Sequence, residues 1–377
     1  MTKLAEIAEI NPRPAPDLND HDQVSFLGMA DVSEDGATSR GHDRQVSTVR
    51  KGFTSFLDGD LLVAKITPCF ENGKIAQASL KHRVGFGSTE FHVVRPHPRQ
   101  ADARYLLHFL RSPGVRESGE RRMTGSAGQR RVPKDFLEGL DVPLPPLPEQ
   151  RRIASILDEV DVVRASRLRS VSYLGQLVTI LFNQLSGQPE RTVKLGEVLS
   201  IRAKMVDPRD DAYAELPLVA PDNIEPSTGR IFGVRQVRQV QPISGKYMFA
   251  ETDVLYSKIR PALNKVAMAE GVGLCSADMY PLTVNRSHLT REYLWVALRA
   301  PAFLSYANRL GNRAQMPKLN RRQLLSYRIG LPSIERQRGF ADVVQEHLNA
   351  SLIQRDHLAK LDELFASLQY RAFRGEL

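Results

Sequence analysis

The feature that most limits what this chain can fold into is an internal duplication. Residues 3–10, KLAEIAEI, return at 194–201 as KLGEVLSI, and 56–78, FLDGDLLVAKITPCFENGKIAQA, return at 249–269 as FAETDVLYSKIRPALNKVAMA. The second match sets Asp60 against Asp253, Lys65 against Lys258 and Pro68 against Pro261. GSTEFHVVRP (87–96) matches CSADMYPLTV (275–284), pairing Ser88 with Ser276 and Glu90 with Asp278. YLLHFLRSPG (105–114) matches YLWVALRAPA (293–302), and VPKDFLEGLDVPLPPL (132–147) matches MPKLNRRQLLSYRIGLPSI (316–334). Last, LPPLPEQRRIASILDEVDVV (144–163) and GLPSIERQRGFADVVQEHL (330–348) both run from a proline-marked stop into a charged, apolar-periodic segment. The order is kept throughout, and the offset drifts only between about 184 and 193 residues. A period that long excludes a solenoid of short repeats and implies two copies of a domain, each followed by a helix.

Within a copy, DLLVAKI and DVLYSKI are short β-branched apolar runs behind turn residues. They predict strands, as do EFHVVRP and MYPLTV. ARYLLHFLRSP and REYLWVALRAPAFLSYANRL carry apolar residues at 3–4 spacing and predict helices. Each copy therefore opens with a compact α+β domain of roughly 145 residues. Its continuation is different. From Glu149 to about Leu185 there is no proline, and only Gly175 interrupts the run. Pro148 suits a first helical position and Glu149 favours the helix dipole. Apolar residues recur at Ile153, Ile156, Val160 and Val163, give way to Arg167 and Ser170, and resume at Leu174, Leu177 and Leu181. That is a heptad seam with a polar break. The C-terminal counterpart starts at Ser333, a suitable N-cap, and carries Phe340, Val344, Leu348, Leu358, Leu361, Phe365 and Leu368.

Each long helix thus has one apolar stripe to cover, and the economical solution is a coiled-coil-like pair. A pseudo-twofold relation between the copies makes the pair antiparallel, with one globular head at each end. At ~1.5 Å per residue, ~37 residues span ~55 Å, more than a head of this size could cover if each helix folded back on its own copy. The expected division is a first head at 1–147, a central helix at 148–187, a second head at 188–332 and a C-terminal helix at 333–377.

Composition narrows function. The chain has 52 Lys and Arg against 43 Asp and Glu, a formal charge of +9, which suits a polyanionic partner. The two cysteines, Cys69 and Cys275, have no ligand-like neighbours, so neither a disulfide framework nor a zinc site is indicated. The N-terminal stretch lacks the apolar run of a signal peptide, and no segment approaches the roughly 18–20 apolar residues of a membrane helix, so a cytoplasmic protein is expected. There is no GxGxxG behind a strand, no GxxxxGK[ST], no HExxH and no [DNS]PP[YFW]. The expectation is a chain without a catalytic centre or a cofactor of its own.

Basic clusters stand where catalytic motifs do not. Arginine reads guanine and Gln or Asn reads adenine in the major groove, while Lys and Arg also hold phosphates. On that logic the candidate DNA-binding residues in the first copy are Arg50, Lys51, Lys65, Ser88, Arg121, Arg122, Gln129, Arg130, Arg131 and Lys134. In the second copy they are Lys258, Arg260, Lys265, Arg313, Gln315, Lys318 and Arg321. Clusters 121–134 and 309–322 occupy corresponding places in the two copies.

Three of these stretches carry a resemblance. VPLPPLPEQRRIASILDEVD resembles the central conserved segment of specificity subunits of type I restriction–modification systems. LFASLQYRAFRGEL is similar to that family's C-terminal ending, and GSTEFHVVRP to the end of its target-recognition domains. The resemblance covers essentially the whole chain. It departs where Asp278 replaces Glu90 and where Ile334-Glu335-Arg336-Gln337 replaces Pro148-Glu149-Gln150. It implies two target-recognition domains, each reading one half of an asymmetric, interrupted target in double-stranded DNA, with the helix pair fixing the gap. It also implies two docked adenine-N6 methyltransferase subunits that bind S-adenosylmethionine, and restriction subunits that use ATP and Mg. Two further readings share the architecture: a non-catalytic assembly scaffold whose heads read no bases, and the DNA-recognition subunit of a methylation-based defence system without the usual restriction subunit.

Overall fold

The computed structural model describes residues 1–13, 18–126, 128–311 and 317–377. It divides into two compact units, residues 1–169 with 355–377, and residues 170–354. The division runs through both long helices, Leu147–Ser186 and Ile334–Ala372, so each unit holds one head and one half of each helix.

In the first unit a four-stranded antiparallel sheet runs in the order Ala8–Ile10, Phe91–Pro96, Leu61–Ala64, Ile75–Gln77. Leu61, Leu62, Val63 and Ala64 are all buried, so this strand is covered on both faces, which is why it reads as an unbroken apolar run and not as an alternation. The helix Ala103–Leu110 closes one side, its N-cap Asp102 accepting from the Arg104 and Tyr105 amides. A second sheet is less regular: His42–Gln45, Gln23–Leu27, Val84–Gly87 and Thr54–Leu57, with Gln23–Leu27 and Val84–Gly87 parallel.

The second unit repeats this plan. Its antiparallel sheet runs Leu199–Ile201, Met279–Val284, Asp253–Ser257, Val266–Met268. Its other sheet again holds one parallel pair, Pro217–Val219 beside Gly273–Cys275. The segment expected as one helix over REYLWVALRAPAFLSYANRL is two, Arg291–Ala297 and Pro301–Gly311; Pro301 begins a new helix because the residue before a proline is driven out of helical conformation. Ser333 caps the C-terminal helix as expected, its Oγ accepting from the Arg336 amide at 3.3 Å.

The long helices run antiparallel inside each unit. In the first, Arg164 donates to Asp362 (2.7 Å) and lies over the Phe365 ring (4.7 Å), while Arg167, one turn on, meets His357 (3.2 Å). In the second, Phe182 lies 6.2 Å from Phe340 between ring centroids, and Gly175 faces His347. The seam differs in phase from the sequence expectation. Ile153, Ile156, Val160, Leu174 and Leu181 are buried or half covered, but Leu157 (0% exposed) is buried beside Ile156 and Val178 (5%) takes the place expected for Leu177. Val163 and Leu177 are 43% and 47% exposed, and Arg164 turns inward instead. Nor do the helices cover only each other. Ile153, Ala154, Leu157, Phe365 and Ala372 belong to the core of the first head, and Val178, Phe182, Phe340 and Val344 to that of the second.

Candidate nucleic-acid interface

The duplication builds the same small site twice. In the first head the strand Leu61–Ala64 delivers Lys65, whose amide donates to the Glu90 carbonyl (2.9 Å) and whose carbonyl accepts from the Val132 amide (2.8 Å). In the second, the Lys258 amide donates to the Asp278 carbonyl (3.0 Å) and its carbonyl accepts from the Leu319 amide (2.8 Å). A third bond repeats as well: Thr67 to the Arg130 carbonyl, 3.0 Å, and Arg260 to the Pro317 carbonyl, 2.8 Å. Three segments distant in sequence are thereby pinned side by side, and their side chains meet.

In the first head those side chains are Lys65, Glu90, Arg131 and Lys134. Arg131 grips Glu90 with two parallel bonds, Nε to Oε2 at 2.9 Å and an η-nitrogen to Oε1 at 2.8 Å. Those bonds hold the Glu90 carboxyl below its usual range, with Lys65 and His92 adding to the effect. His92 is buried beneath, its Nε2 2.9 Å from the Val132 carbonyl, and burial lowers its pKa. In the second head the corresponding side chains are Lys258, Asp278, Lys318 and Arg321. Here the pair is open, with Lys318 Nζ 3.7 Å from Asp278. Lys258 lies 5.3 Å from the Tyr280 ring centroid, and its pKa is lowered by burial first and by Lys318 and Arg321, against Asp278. Each site is a half-exposed cluster of cations organised by one carboxylate, suited to holding phosphate oxygens or a base edge.

Beside the first cluster projects a hairpin closed by Thr124 and Arg131, each amide donating to the other's carbonyl. Gly125 and Gly128 have φ of 123° and 84°, which L side chains rarely adopt. Gln129 is exposed on this hairpin, and Arg121 and Arg122 are exposed at the end of the helix leading into it. Arg130 sits 3.7 Å from Glu71 and 3.9 Å from Glu120. Lys134 pairs with Glu138 at 2.6 Å. Arg260 is exposed, with its backbone left-handed at φ 47°.

Four expected residues take other positions. Lys265 points inward, its Nζ donating to the Pro221 carbonyl (2.8 Å), just as Lys74 in the first head donates to the Met29 carbonyl (3.0 Å); both pin a short turn of the second sheet. Ser88 accepts from the Glu90 amide, and Ser276 from that of Asp278, so each serine shapes the turn that presents the acid. Arg50 is tied to Asp20 (3.1 Å) and the Leu18 carbonyl, while its neighbour Lys51 is exposed; both follow the short helix Val46–Val49 beside the second sheet. Arg313 and Gln315 lie outside the described residues. Conversely, Glu90 and Asp278 were not expected as site residues, although their pairing across the repeat pointed to them. Among the described residues no group of three or more His, Cys, Asp or Glu could hold a metal ion, and no helix is long and apolar enough to cross a membrane.

Comparison with known proteins agrees with this duplicated plan. The family model described as the type I restriction modification DNA specificity domain matches residues 1–166 and again residues 190–363. The specificity subunit of the type I restriction enzyme EcoAI from Escherichia coli is 42% identical over 196 residues, which are 49% of this chain and 32% of that protein. That of EcoEI, also from Escherichia coli, is 41% identical over 193 residues, 48% of this chain and 32% of that protein. The chain thus spans about a third of the length of these two relatives. The specificity subunit of MjaVIII from Methanocaldococcus jannaschii is 21% identical over 304 residues, 73% of this chain and 70% of that one. Among solved structures, the S subunit of a type I restriction–modification system from M. genitalium superposes with a TM-score of 0.61 at 12% identity, over 99% of this chain and 95% of that one. A chain from a type I R-M system superposes with a TM-score of 0.55 at 19% identity, over 100% and 97%. At such identities these likenesses establish the fold. The fold class is therefore α+β, with two similar domains and long helices following each. With both copies matched by its model, the chain belongs to the family of type I restriction–modification DNA specificity domains.

Proposed function

We propose that this chain is the DNA-recognition subunit of a type I restriction–modification assembly. Each head reads one half of a bipartite, asymmetric target, and the helix pair sets the spacer. The observation that carries this reading is the recurrence, at one place in both heads, of a cation cluster organised by a carboxylate. Two divergent copies of one such site suit a target with two different halves.

The chain itself supplies binding and positioning, not chemistry. Methylation of adenine N6, with S-adenosylmethionine, belongs to two modification subunits, and ATP and Mg to restriction subunits, all in the cytoplasm with the DNA. The modification subunits dock on the long helices. Tyr173, Leu177 and Ile180 are 65%, 47% and 54% exposed at one-face spacing, and Val162 (63% exposed) edges a groove between the first head and its helix. Apolar surface of that kind marks a protein interface.

The test is selection of random duplexes by the purified complex, followed by sequencing. Recovery of a bipartite motif with a fixed gap supports the reading. A pool without such a motif points to a scaffold that reads no bases.

A further inference from the structure

Two glutamines hold the heads to their helices in the same way. Gln150 is 1% exposed and Gln337 is 0% exposed. Gln150 Oε1 accepts from the Asp102 amide (2.8 Å), and its Nε2 donates to the Gln100 carbonyl (3.0 Å) and the Pro145 carbonyl (2.8 Å). Gln337 Oε1 accepts from the Thr290 amide (3.1 Å), and its Nε2 donates to the His288 carbonyl (3.1 Å) and the Pro332 carbonyl (2.9 Å). Each amide thus ties together the N-cap of the head's own helix, the segment before it, and the proline-marked entry to the long helix.

The surroundings have diverged while the amide has not. The N-cap is Asp102 in one copy and Thr290 in the other, and Pro148-Glu149 stands where the second has Glu335-Arg336. The chemistry explains the retention. The job needs one acceptor and two donors on a single planar group, which glutamine has; glutamate lacks the donors, and asparagine is one methylene too short to reach the same backbone atoms. A buried polar group with its partners satisfied fixes a single geometry.

We propose that Gln150 and Gln337 are positioning residues for half-site spacing: they set the angle at which each head leaves its helix. The inference rests on the proposed function. B-DNA completes a turn in about 10–10.5 base pairs, so a head freed to rotate by about 35° can follow a half-site displaced by one base pair. Both amides are buried and bond no residue of the two cation clusters, so they affect the gap and leave the sequence of each half unchanged.

The test is duplex selection by the full-length chain in its complex, with the gap length randomised, comparing wild type with Gln337→Leu and Gln337→Glu. The leucine removes all three bonds; the glutamate keeps the acceptor and loses both donors. The expected result is unchanged half-site sequences, with gaps one base pair longer or shorter enriched about tenfold over wild type. A variant that binds with the wild-type single gap overturns the inference. Failure of both variants to fold also overturns it, because the glutamine would then serve folding and not positioning. A wild-type complex that selects no bipartite motif would instead overturn the proposed function itself.

Discussion

Arg111 and Arg299 hold the same place in the two copies and end in different surroundings. Arg111 reaches Asp161 of the central helix at 2.9 Å. Arg299 faces no such acid, because the residue corresponding to Asp161 is Leu348. It lies instead over the Trp295 ring at 3.8 Å and donates to the Ser227 carbonyl, with burial lowering it to about 10. The rest of each joint follows suit. At the first, Asp158 is shared between Arg104 and the fully buried His108, whose Nε2 lies 2.7 Å away. At the second, Val296 and Gln345 replace His108 and Asp158, and Phe182, Tyr293 and Phe340 fill the space with centroids 5.2–6.2 Å apart. Both joints keep the buried glutamine and a tyrosine hydroxyl donating at 2.7 Å to the backbone segment that leads into the long helix. Backbone anchors are thus retained, while the filling differs: the first joint adds an ionic network to its Tyr105–Phe373 and His108–Phe365 ring contacts, and the second packs Phe182, Tyr293 and Phe340 where that network would stand.

The largest expected effect comes from emptying the aromatic joint. Phe182→Ala removes a side chain that is 7% exposed, and should destabilise the second unit by about 3–5 kcal/mol, at low and high salt alike. Hydrogen exchange on peptides containing Tyr293 reads this directly, and a loss that shrank with added salt would break the comparison.

Asp158→Ala should cost the first unit less, about 1–3 kcal/mol, read on peptides containing Tyr105. The loss should diminish as salt rises, because Arg104 is partly exposed. The pH dependence has a definite sign. Burial alone would raise the Asp158 carboxyl, but hydrogen bonds from His108 and Arg104 outweigh it and bring it down to about 2. A carboxyl near ~3.9 when unfolded then contributes fully above about pH 5, and the contribution drains away as the pH falls toward 2. The second joint has no counterpart of this group, so acid should loosen protection of the first unit selectively.

A smaller effect separates the two charge clusters. Glu90→Gln releases Arg131 from its two-bond grip and should tighten binding to non-specific duplex about three- to tenfold. Asp278→Asn should gain less, about twofold, because Lys318 already stands 3.7 Å off. Equal gains in a filter-binding titration would mean that the closed and open pairs do not differ in solution.

The duplication, the strands at 61–64 and 253–257 and both long helices were legible, because each rests on local periodicity or on the match between copies. The phase of the helix seam was not. The central helix carries apolar residues on two faces, Leu157 and Val178 on one, Val163 and Leu177 on the other, and 3–4 spacing cannot choose between them. Arg164 turns inward only because Asp362 and Phe365 receive it from a segment about 200 residues away. The second sheet of each head escaped notice for a similar reason, since its parallel pairing joins strands from distant parts of the chain. Within the candidate site, Lys65, Arg131 and Lys134 were found by charge. Lys265 shows the limit of that signal, because composition does not reveal that a lysine reaches back to a backbone carbonyl of its own head.

The proposed function requires two heads that read two halves independently. Its most direct test is duplex selection by the complex carrying Arg121→Glu and Arg122→Glu, two exposed cations of the first head at the base of its hairpin. We expect one half of the bipartite motif to lose its sequence information, with the other half and the gap retained. Loss of both halves together, or of neither, would contradict the account.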